Sequence, residues 1–396
     1  MGYNTGNGVF VLKKKGFFLS FTLSLCMLLC GCSGSSLCAY STYAYFDTLT
    51  RWAYFSRAAD KEREIWAQIT AFADSVEKSL SLAQPQSAVS RFNAAAAGDT
   101  VEIDKIAYDV LKLAQEAYAQ TDGAYNPAVG IYIDLWGFSP RCTSANYRPT
   151  LPYDRADYTT QLPDEKYVEA FQPLTDFSAV RVWEEAGAYY VYKPDLAVEA
   201  EGEIFTMALN LGGIAKGYCA DVCAPLVRAA GYDTGYLAFG TSSLALFGNA
   251  LPDAVHGDLW SVGVRAPRGG EHADYMDVYL KDTVLSSSGD SELYYEWKGV
   301  RYCHIIDPQT GRPVNGTGEG VICATVGGLS GALGDAVTTA LHVMGRDGAI
   351  AYAREKLSDQ SVSFVCDDGS GNLTLYTNLQ EGDYRLWDET MRTVKL

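Results

Sequence analysis

The sequence predicts an α+β fold, with mixed or antiparallel sheets packed against separate helices. Helical and strand patterns occupy separate blocks of the 396 residues instead of alternating regularly, which argues against a doubly wound parallel sheet. The hydrophobic content of 48% can fill a large core, and the 27 tyrosines suit half-buried strands. The length fits one large domain or two closely joined domains.

The N-terminal segment has the pattern of an export signal. Three lysines, Lys13 to Lys15, precede the apolar run GFFLSFTLSLCMLL, which is short for a membrane-spanning helix. The junction Leu29-Cys30-Gly31-Cys32 resembles a bacterial lipobox, in which the cysteine after a small residue carries lipid and becomes the new N-terminus. An ordinary cleaved signal and an uncleaved anchor are the alternatives.

These features define the expected organisation of the chain. We expect a lipoprotein signal peptide over residues 1–31, lipidation at Cys32, a tether over residues 32–43 and a folded domain over residues 44–396. The protein would then be lipid-anchored at the cell membrane and face its extracytoplasmic side.

The charge of the chain argues against nucleic acid as a partner. The formal net charge is −17, and loss of residues 1–31, which hold three lysines and no acidic residue, makes it −20. Such a surface repels polyanions. It would also repel an anionic small ligand unless a metal ion or a nearby lysine reversed the local field.

The first third of the chain predicts two amphipathic helices. One runs from Lys61 to Leu82 and the other from Ile103 to Gln120, behind Asp104, because apolar residues recur at helical spacing in both. Between them, SAVSRFNAAAAGD has the composition of a polar connection. After them, GAYNPAVGIYIDLWGF predicts a loop and a short strand, because glycine and proline interrupt it and aromatic residues end it.

Residues 139–174 predict a surface excursion, since proline, tyrosine and charged residues are frequent there. Two hairpins are expected beyond it. The first is RVWEEAGAYYVYK, and the second is ELYYEWKGVRYCHIIDP, with Lys298-Gly299 at its turn.

The stretch ALNLGGIAKGYCADVCAPLVRAAGYD carries the first chemical signal. Gly212-Gly213 leads into Lys216, and a helix of apolar spacing follows that ends near Gly231. Glycines at a helix entrance let backbone N–H groups approach an anion, and a lysine adds positive charge. A glycine-bearing turn with a solvated lysine explains this stretch equally well when it is taken alone.

Two further stretches hold candidate reactive groups. His304 ends the second hairpin and could act as an acid or base, or simply be a hydrogen-bonded strand-end histidine. In the predicted helix GDAVTTALHVMG, Asp335 and Thr339 are four residues apart, so their oxygens could meet one hard cation. Capping of the helix start by the aspartate is the simpler explanation.

Taken together, the motifs resemble the ApbE family of FAD:protein FMN transferases. The stretches that carry the resemblance are, in chain order, SAVSRFN, GAYNPAVGIYIDLWGF, NLGGIAKGYCAD, SSSGD, YCHIIDPQTGRPV and GDAVTTALHVMG. The resemblance runs from about Ala44 to the C-terminus. It implies a flavin transferase fold related to the T-fold.

The resemblance also implies a reaction. A threonine or serine hydroxyl of an exported FMN-binding acceptor, part of an electron-transfer system, attacks the FMN-side phosphate of FAD and releases AMP. Mg²⁺ is the implied metal and FAD the implied substrate. Phosphoryl transfer mainly requires positioning and charge neutralisation, which a metal ion and a lysine can supply.

Matching the family's motifs residue by residue gives the expected site. The implied metal ligands are Asp335, Thr339 and the backbone carbonyl of Gly213. The expected catalytic residues are Asp335, Lys216 and His304, with His304 as the candidate for proton handling. The implied FAD-contacting residues are Phe46, Ser90, Trp136, Gly137, Phe138, Asn210, Lys216 and Ile306.

The sequence departs from the family pattern at several positions. Asn210 and Asn126 stand where many members carry aspartate, and Gly240-Thr241-Ser242 and Phe46-Asp47-Thr48 replace two short family motifs. Two other functions use the same residues. One is a Mg²⁺-dependent FAD pyrophosphatase that yields FMN and AMP, and the other is a flavin-binding lipoprotein without catalysis.

Overall fold

The computed structural model describes residues 37–55, 61–139, 162–250, 256–269, 272–314 and 320–396. The predicted signal peptide and the lipidation site at Cys32 lie outside the described residues. Within the described part of the chain, no helix combines the length and hydropathy needed to cross a membrane.

A nine-stranded sheet forms the centre of the molecule. With strands numbered in chain order, its spatial order is β1 (Leu37–Tyr45), β2 (Thr48–Phe55), β8 (Gly235–Phe239), β9 (Ser243–Phe247), β12 (Val284–Gly289), β17 (Val321–Gly327), β18 (Ser361–Asp367), β19 (Leu373–Thr377) and β21 (Arg392–Lys395). Adjacent strands are antiparallel except the last pair, β19 and β21, which is parallel.

Smaller sheets surround this main sheet. They are β3 (Thr100–Ile103) with β5 (Ala188–Tyr192) and β4 (Arg181–Glu185); β6 (Ala197–Ala200) with β7 (Glu203–Thr206); β10 (Trp260–Arg265) with β11 (Asp274–Leu280) and β20 (Tyr384–Leu386); β13 (Tyr294–Trp297) with β14 (Val300–Cys303); and β15 (Ile306–Asp307) with β16 (Arg312–Pro313).

Helices cover one face of the main sheet. They are α1 (Glu62–Leu80), α2 (Ala88–Ala94), α3 (Lys105–Gln120), α6 (Gly212–Ala229) and α7 (Gly331–Lys356), while α4 (Gly130–Leu135) and α5 (Glu165–Ala170) pack together in a separate hydrophobic cluster. The β10–β11–β20 sheet packs on the opposite face through Val264, Met276 and Leu285. Strand β17 is buried at all seven positions because it lies between these two layers.

The structure confirms the α+β class and several predicted elements. Helix α3 begins behind Asp104, whose side chain accepts a hydrogen bond from the Ala107 N–H at 3.0 Å. Both hairpins form, as β4–β5 and β13–β14. At the second turn, Lys298 and Gly299 have φ values of 48° and 78°, which suits a two-residue hairpin turn.

Four local predictions are wrong. The tether is shorter than expected, because Leu37–Tyr45 forms strand β1 and pairs with β2. SAVSRFN contains helix α2, which Ser87 caps by accepting a hydrogen bond from Ser90 N–H. The short strand expected in GAYNPAVGIYIDLWGF is helix α4, positioned by Gly130, where a Cβ would overlap the backbone of Ala208.

The fourth correction concerns the excursion at residues 139–174. Residues 140–161 lie outside the described residues. The part that follows is not a surface excursion, since α5 and the next turn bury Tyr167, Val168, Phe171 and Leu174 in a hydrophobic cluster with α4. The polar composition of this stretch concealed an apolar face.

Candidate active site

The candidate site forms where the N-terminal ends of helices α6 and α7 cross. A Cβ added at Gly217 would overlap the carbonyl of Gly331, and one added at Gly331 would overlap the carbonyl of Gly217. Only glycine at both positions lets the two backbones approach this closely. Two helix N-termini, each with unpaired N–H groups and a partial positive charge, therefore meet at one place.

Each helix supplies a carboxylate to the other at this crossing. Asp221 of α6 accepts hydrogen bonds from the N–H groups of Gly331 at 2.5 Å and Ala332 at 2.9 Å. Asp335 of α7 accepts one from the Gly217 N–H at 2.7 Å. Asp335 does not cap its own helix, which begins earlier than predicted, at Gly331 after the N-cap Ser330. This reciprocal arrangement fixes the position of Asp335.

Hydroxyl groups of the main sheet hold the other side of Asp335. Ser243 Oγ donates to Asp335 Oδ1 at 2.7 Å, and Ser286 also donates to the carboxylate. Ser243 and Ser286 are partners in the β9–β12 register, so their side chains leave the same face of the sheet. The Asp335 carboxylate therefore has a fixed orientation.

The electrostatics of Asp335 are unusual. Its side chain is buried, and burial raises its pKa to about 6, partly offset by the charge of Lys216 and by the hydrogen bonds from Ser243, Gly217 and Ser286. Asp335 forms no salt bridge among the described residues, and a buried carboxylate held by hydrogen bonds in this way is well suited to bind a cation.

Two further oxygen donors lie beside this carboxylate. A Cβ built on Gly213 would lie 3.4 Å from Thr339 Oγ1 and 3.6 Å from Tyr125 Cε2. Gly213 leaves the helical conformation with a ψ of 15°, and the Gly217 N–H that would normally bond its carbonyl donates to Asp335. The Thr339 hydroxyl donates to the backbone oxygen of Asp335 at 3.1 Å and keeps its lone pairs for another partner.

This donor set fits Mg²⁺. A carboxylate, a hydroxyl and a backbone carbonyl are hard oxygen ligands, and Mg²⁺ completes its octahedron with water and substrate phosphate. The described residues contain no group of three or more His, Cys, Asp or Glu side chains that could hold a metal.

His304 and Lys216 lie near the same place. The charge of Lys216 acts on both Asp335 and His304. Burial, together with Lys216, lowers the pKa of His304 to about 4, so its ring is neutral at pH 7. Its Nδ1 lies 3.2 Å from the Leu293 carbonyl, which can only accept, so the proton is assigned to Nδ1 and the lone pair to Nε2.

The two aromatic residues of the predicted flavin loop are packed inside the protein. Trp136 is buried, donates through Nε1 to the Gly311 carbonyl at 2.7 Å and stacks on Tyr302. Phe138 is also buried and stacks on Tyr295. Gly137, between the two rings, has a φ of 84°, a conformation that favours glycine. Ile306 is buried in the same cluster as the two rings.

The remaining predicted contact residues surround this centre at different distances. Asn210 accepts a hydrogen bond from the Gly212 N–H at 2.8 Å and so shapes the entrance of α6. Phe46 lies in the β1–β2 turn with a φ of 55° and packs edge-on against Phe239, the strand neighbour of Ser243. Ser90 is directed towards the Ser81 and Leu82 carbonyls. No contact between described residues joins it to Asp335.

Two cavities lie next to these elements. One has a volume of about 500 Å³, and its lining includes Ala124, Asp307 and Val343. In the sequence, Ala124 precedes Tyr125, Asp307 follows Ile306, and Val343 lies one helical turn beyond Thr339. A second, of about 250 Å³, is lined by Gly240, Thr241 and the end of β12. Asp307 of β15 lines the first cavity, whereas Asp335, Thr339 and Gly213 are not among its lining residues.

Sequence reasoning missed four residues of this site, Tyr125, Asp221, Ser243 and Ser286. Ser286 gave a weak signal, as part of the hydroxyl-rich SSSGD stretch. Tyr125 and Asp221 lie inside two of the quoted motifs, but their roles and that of Ser243 depend on contacts between segments that are distant in the chain.

Comparison with known proteins gives a consistent result. Residues 46–364 match the model of the ApbE family. An FAD:protein FMN transferase of Klebsiella pneumoniae (strain 342) is 28% identical over 364 residues, which cover 90% of this chain and 94% of that protein. An FAD:protein FMN transferase of Treponema pallidum (strain Nichols) is 28% identical over 76% of this chain and 77% of that protein.

Solved structures show the same fold. The flavin transferase ApbE from Vibrio cholerae superposes with a TM-score of 0.68 at 24% identity, covering 87% of this chain and 97% of that chain. The ApbE protein from Thermotoga maritima gives a TM-score of 0.67 at 24% identity, covering 85% of this chain and 96% of that chain. At 24% identity these superpositions show that the fold is shared.

Proposed function

This chain belongs to the ApbE family, and on that premise we propose that it is an FAD:protein FMN transferase. It transfers FMN from FAD to a threonine or serine hydroxyl of an exported acceptor flavoprotein and releases AMP. The observation that carries the proposal is the group of oxygen donors, Asp335, Thr339 and Gly213, at the crossing of two helix N-termini.

The metal proposed for this group is Mg²⁺. The Asp335 carboxylate, the Thr339 hydroxyl and the Gly213 carbonyl would hold it. When bound, the ion neutralises negative charge on the pyrophosphate of FAD and polarises the phosphorus under attack. Ser243 and the Gly217 N–H keep the carboxylate in place for this role.

The protein also supplies positive charge of its own. Lys216 is the fifth residue of α6, and its positive charge adds to that of the N–H groups at the start of this helix. These groups favour a pyrophosphate that the chain, with a net charge of −17, would otherwise repel. Lys216 therefore binds and orients the phosphates.

His304 handles the proton of the acceptor hydroxyl. Its ring is neutral at pH 7 and its Nε2 lone pair is available, because Nδ1 donates to Leu293. The hydroxyl oxygen bonds to the FMN-side phosphorus, the bond from that phosphorus to the bridging oxygen breaks, and AMP leaves with that oxygen. The proton lost by the hydroxyl passes to Nε2.

The proposed location is the outer side of the cell membrane. The lipobox-like junction at Cys32 supports lipid anchoring there. An acceptor in an exported electron-transfer system would meet the enzyme at the same surface.

The function is tested with the chain from Ser33 onward, FAD, MgCl₂ and a small exported FMN-binding domain. Intact mass of the acceptor and AMP in solution are measured together. We expect a mass gain of one FMN with release of AMP, both abolished by EDTA and by Asp335→Asn. An acceptor with valine in place of its target threonine is the matched control.

The other outcomes are equally informative. FMN and AMP without labelled acceptor, repeated with several acceptor domains, would identify a pyrophosphatase. Bound FAD that stays intact with every acceptor would identify a flavin-binding protein. Either result would overturn the proposed transfer.

A further inference from the structure

The hydroxyl of Tyr125 is a buried polar group that the mechanism above does not use. Tyr125 is 4% exposed, and its oxygen has no hydrogen-bond partner among the described residues. A buried hydroxyl without a partner destabilises the folded protein. Such a group needs an explanation, and an absent ligand is one.

The position of the ring indicates what that ligand is. The Cε2 atom of the ring, next to the carbon that bears the hydroxyl, lies 3.6 Å from the position that a Cβ on Gly213 would occupy. Thr339 Oγ1 lies 3.4 Å from the same position. The negative charge of Asp335 is close enough to act on the phenol. The hydroxyl therefore lies at the proposed metal and phosphate site, outside the set of residues that the motifs identified.

The protonation state of the phenol restricts its partner further. A tyrosine side chain is a phenol at neutral pH, so its hydroxyl has one proton to donate. A metal-bound water is a poor acceptor because its lone pair faces the metal. Both oxygens of Asp335 already accept hydrogen bonds, from Ser243 and Gly217. An anionic phosphate oxygen of the substrate would be a strong acceptor for this proton at the same place.

We propose that Tyr125 is a substrate-binding residue whose hydroxyl donates a hydrogen bond to a phosphate oxygen of FAD. The inference rests on the proposed function, since it takes FAD as the ligand of this site. It adds a neutral donor to the positive charge that Lys216 supplies, and it gives the buried hydroxyl a partner only in the complex.

The protein holds the ring in place before the ligand arrives. The Tyr125 N–H donates to Thr121 Oγ1 at 3.0 Å, and Thr121 Oγ1 donates to the Ala117 carbonyl at 2.8 Å, at the end of α3. The ring packs in the main hydrophobic cluster. A donor fixed in this way loses little conformational freedom on binding, but it leaves the free protein with an unpaired group.

The variant Tyr125→Phe removes only the hydroxyl. It therefore tests whether this group strengthens FAD binding and destabilises the ligand-free protein. Binding of FAD in the presence of MgCl₂ is measured by calorimetry, and unfolding of the ligand-free protein is measured in urea with EDTA. We expect FAD to bind about tenfold more weakly. The ligand-free variant should unfold at an equal or higher urea concentration than the wild type.

Tyr275→Phe is the matched control. Tyr275 is another buried tyrosine, but it lies in the cluster on the opposite face of the main sheet. FAD affinity should stay at the wild-type value in this variant. A similar loss of affinity in both variants would show a general packing effect and would overturn the proposal.

The remaining outcomes separate this proposal from the proposed function. Wild-type FAD affinity in Tyr125→Phe would overturn the role of the hydroxyl, while the transferase proposal would stand. Lower stability of the ligand-free variant with unchanged affinity would show that the hydroxyl holds a structural water, and would overturn the role as well. A wild-type protein that binds FAD but transfers nothing would overturn the function and leave Tyr125 as a binding residue.

Discussion

Asp335 shows how a single residue can trade stability for binding. Its carboxylate is buried between two helices and a sheet, and in the absence of a cation the protein compensates its charge with hydrogen bonds and the field of Lys216. These interactions leave its pKa at about 6, above the ordinary value of an aspartate. Ionisation at neutral pH therefore opposes folding of the ligand-free protein.

Asp335→Asn should reveal this cost through its pH dependence. Between about pH 4 and 6 the folded wild type binds more protons than the unfolded chain, so its free energy of unfolding falls as pH rises. Asparagine does not titrate. Relative to the wild type, the variant should become more stable by about 3 kcal/mol from pH 4 to pH 7, measured by urea unfolding with EDTA.

At pH 7, adding MgCl₂ and FAD should make the wild type more stable than Asp335→Asn. MgCl₂ and FAD should stabilise the wild type and have little effect on Asp335→Asn, because the variant lacks the carboxylate that binds the ion. A stability difference that is the same at pH 4 and pH 7 would contradict the raised pKa.

The sequence identified some of these residues and not others, for a physical reason. Asp335 and Thr339 are one helical turn apart, so their spacing in the sequence was enough to make them candidate ligands of one cation. The hydroxyl of Tyr125 gave no such signal, because only the approach of Gly213 and Thr339 makes its position unusual. For Trp136 and Phe138, the motif named the loop but could not show that their rings stack on Tyr302 and Tyr295.

At the scale of elements, the crossing of α6 and α7 is the most constrained contact near the site. Gly217→Ala should lower the free energy of unfolding by about 3 kcal/mol, since the new Cβ overlaps the backbone carbonyl of Gly331. It should also weaken FAD binding, because the helices must move apart. Urea unfolding and calorimetry measure the two effects.

Gly327→Ala is the matched control for this variant. Its Cβ would meet the flexible end of Leu285 at 3.2 Å, so we expect a loss below about 1 kcal/mol and unchanged FAD binding. Equal losses in the two variants would argue against a special role for the helix crossing.

Helix α2 depends on a buried lysine. Lys193 is fully buried and donates to the carbonyls of Phe92, Asn93 and Ala95 at 2.8 to 3.1 Å. Asn93 in turn bonds both backbone groups of Leu209, just before Asn210. Lys193 therefore acts on the entrance of α6 through α2.

Lys193→Met should cost stability, and the cost should depend on pH. Burial lowers the pKa of Lys193 to about 8, so between pH 8 and 10.5 the unfolded chain binds more protons than the folded protein. The wild type should gain up to about 3 kcal/mol over the variant as pH rises through this range, measured by urea unfolding. A difference that does not change with pH would contradict the lowered pKa.

Element prediction succeeded where local signals agreed and failed where tertiary contacts decided. Helices α1 and α3 have long amphipathic patterns, and the β13–β14 turn has a fitting dipeptide. Helix α4 contains Ile131 and Ile133, which favour a strand, yet the close approach of Gly130 to Ala208 holds a helix there. In residues 162–174, the apolar face was hidden among charged neighbours.

At the scale of the whole molecule, the proposed lipid anchor sets where the enzyme works. Cys32→Ala in the full chain should move the protein from the membrane fraction to the soluble fraction, because no lipid would then be attached. Fractionation followed by immunodetection measures the shift. Cys38→Ala, a change in the described domain, is the control. Retention of Cys32→Ala in membranes would indicate an uncleaved N-terminal anchor.

The overall architecture was the most predictable feature. Six ordered motifs resembled one family, and the family match over residues 46–364 confirms that reading. Composition alone supported only the α+β class. The arrangement of nine strands, with α6 and α7 crossing on one face, could not be derived from local patterns, since it depends on pairings between distant segments.

The crossing of α6 and α7 also determines when the site can exist. The bond between Gly217 and Asp335 joins residues that are 118 positions apart in the chain, so it closes a long loop that local folding cannot supply. During synthesis, a chain that has not yet reached Thr339 has no complete group of oxygen donors, even if α1, α3 and α6 are already helical. Binding of FAD at this site therefore requires that synthesis has passed Thr339 and that α6 and α7 have packed against each other.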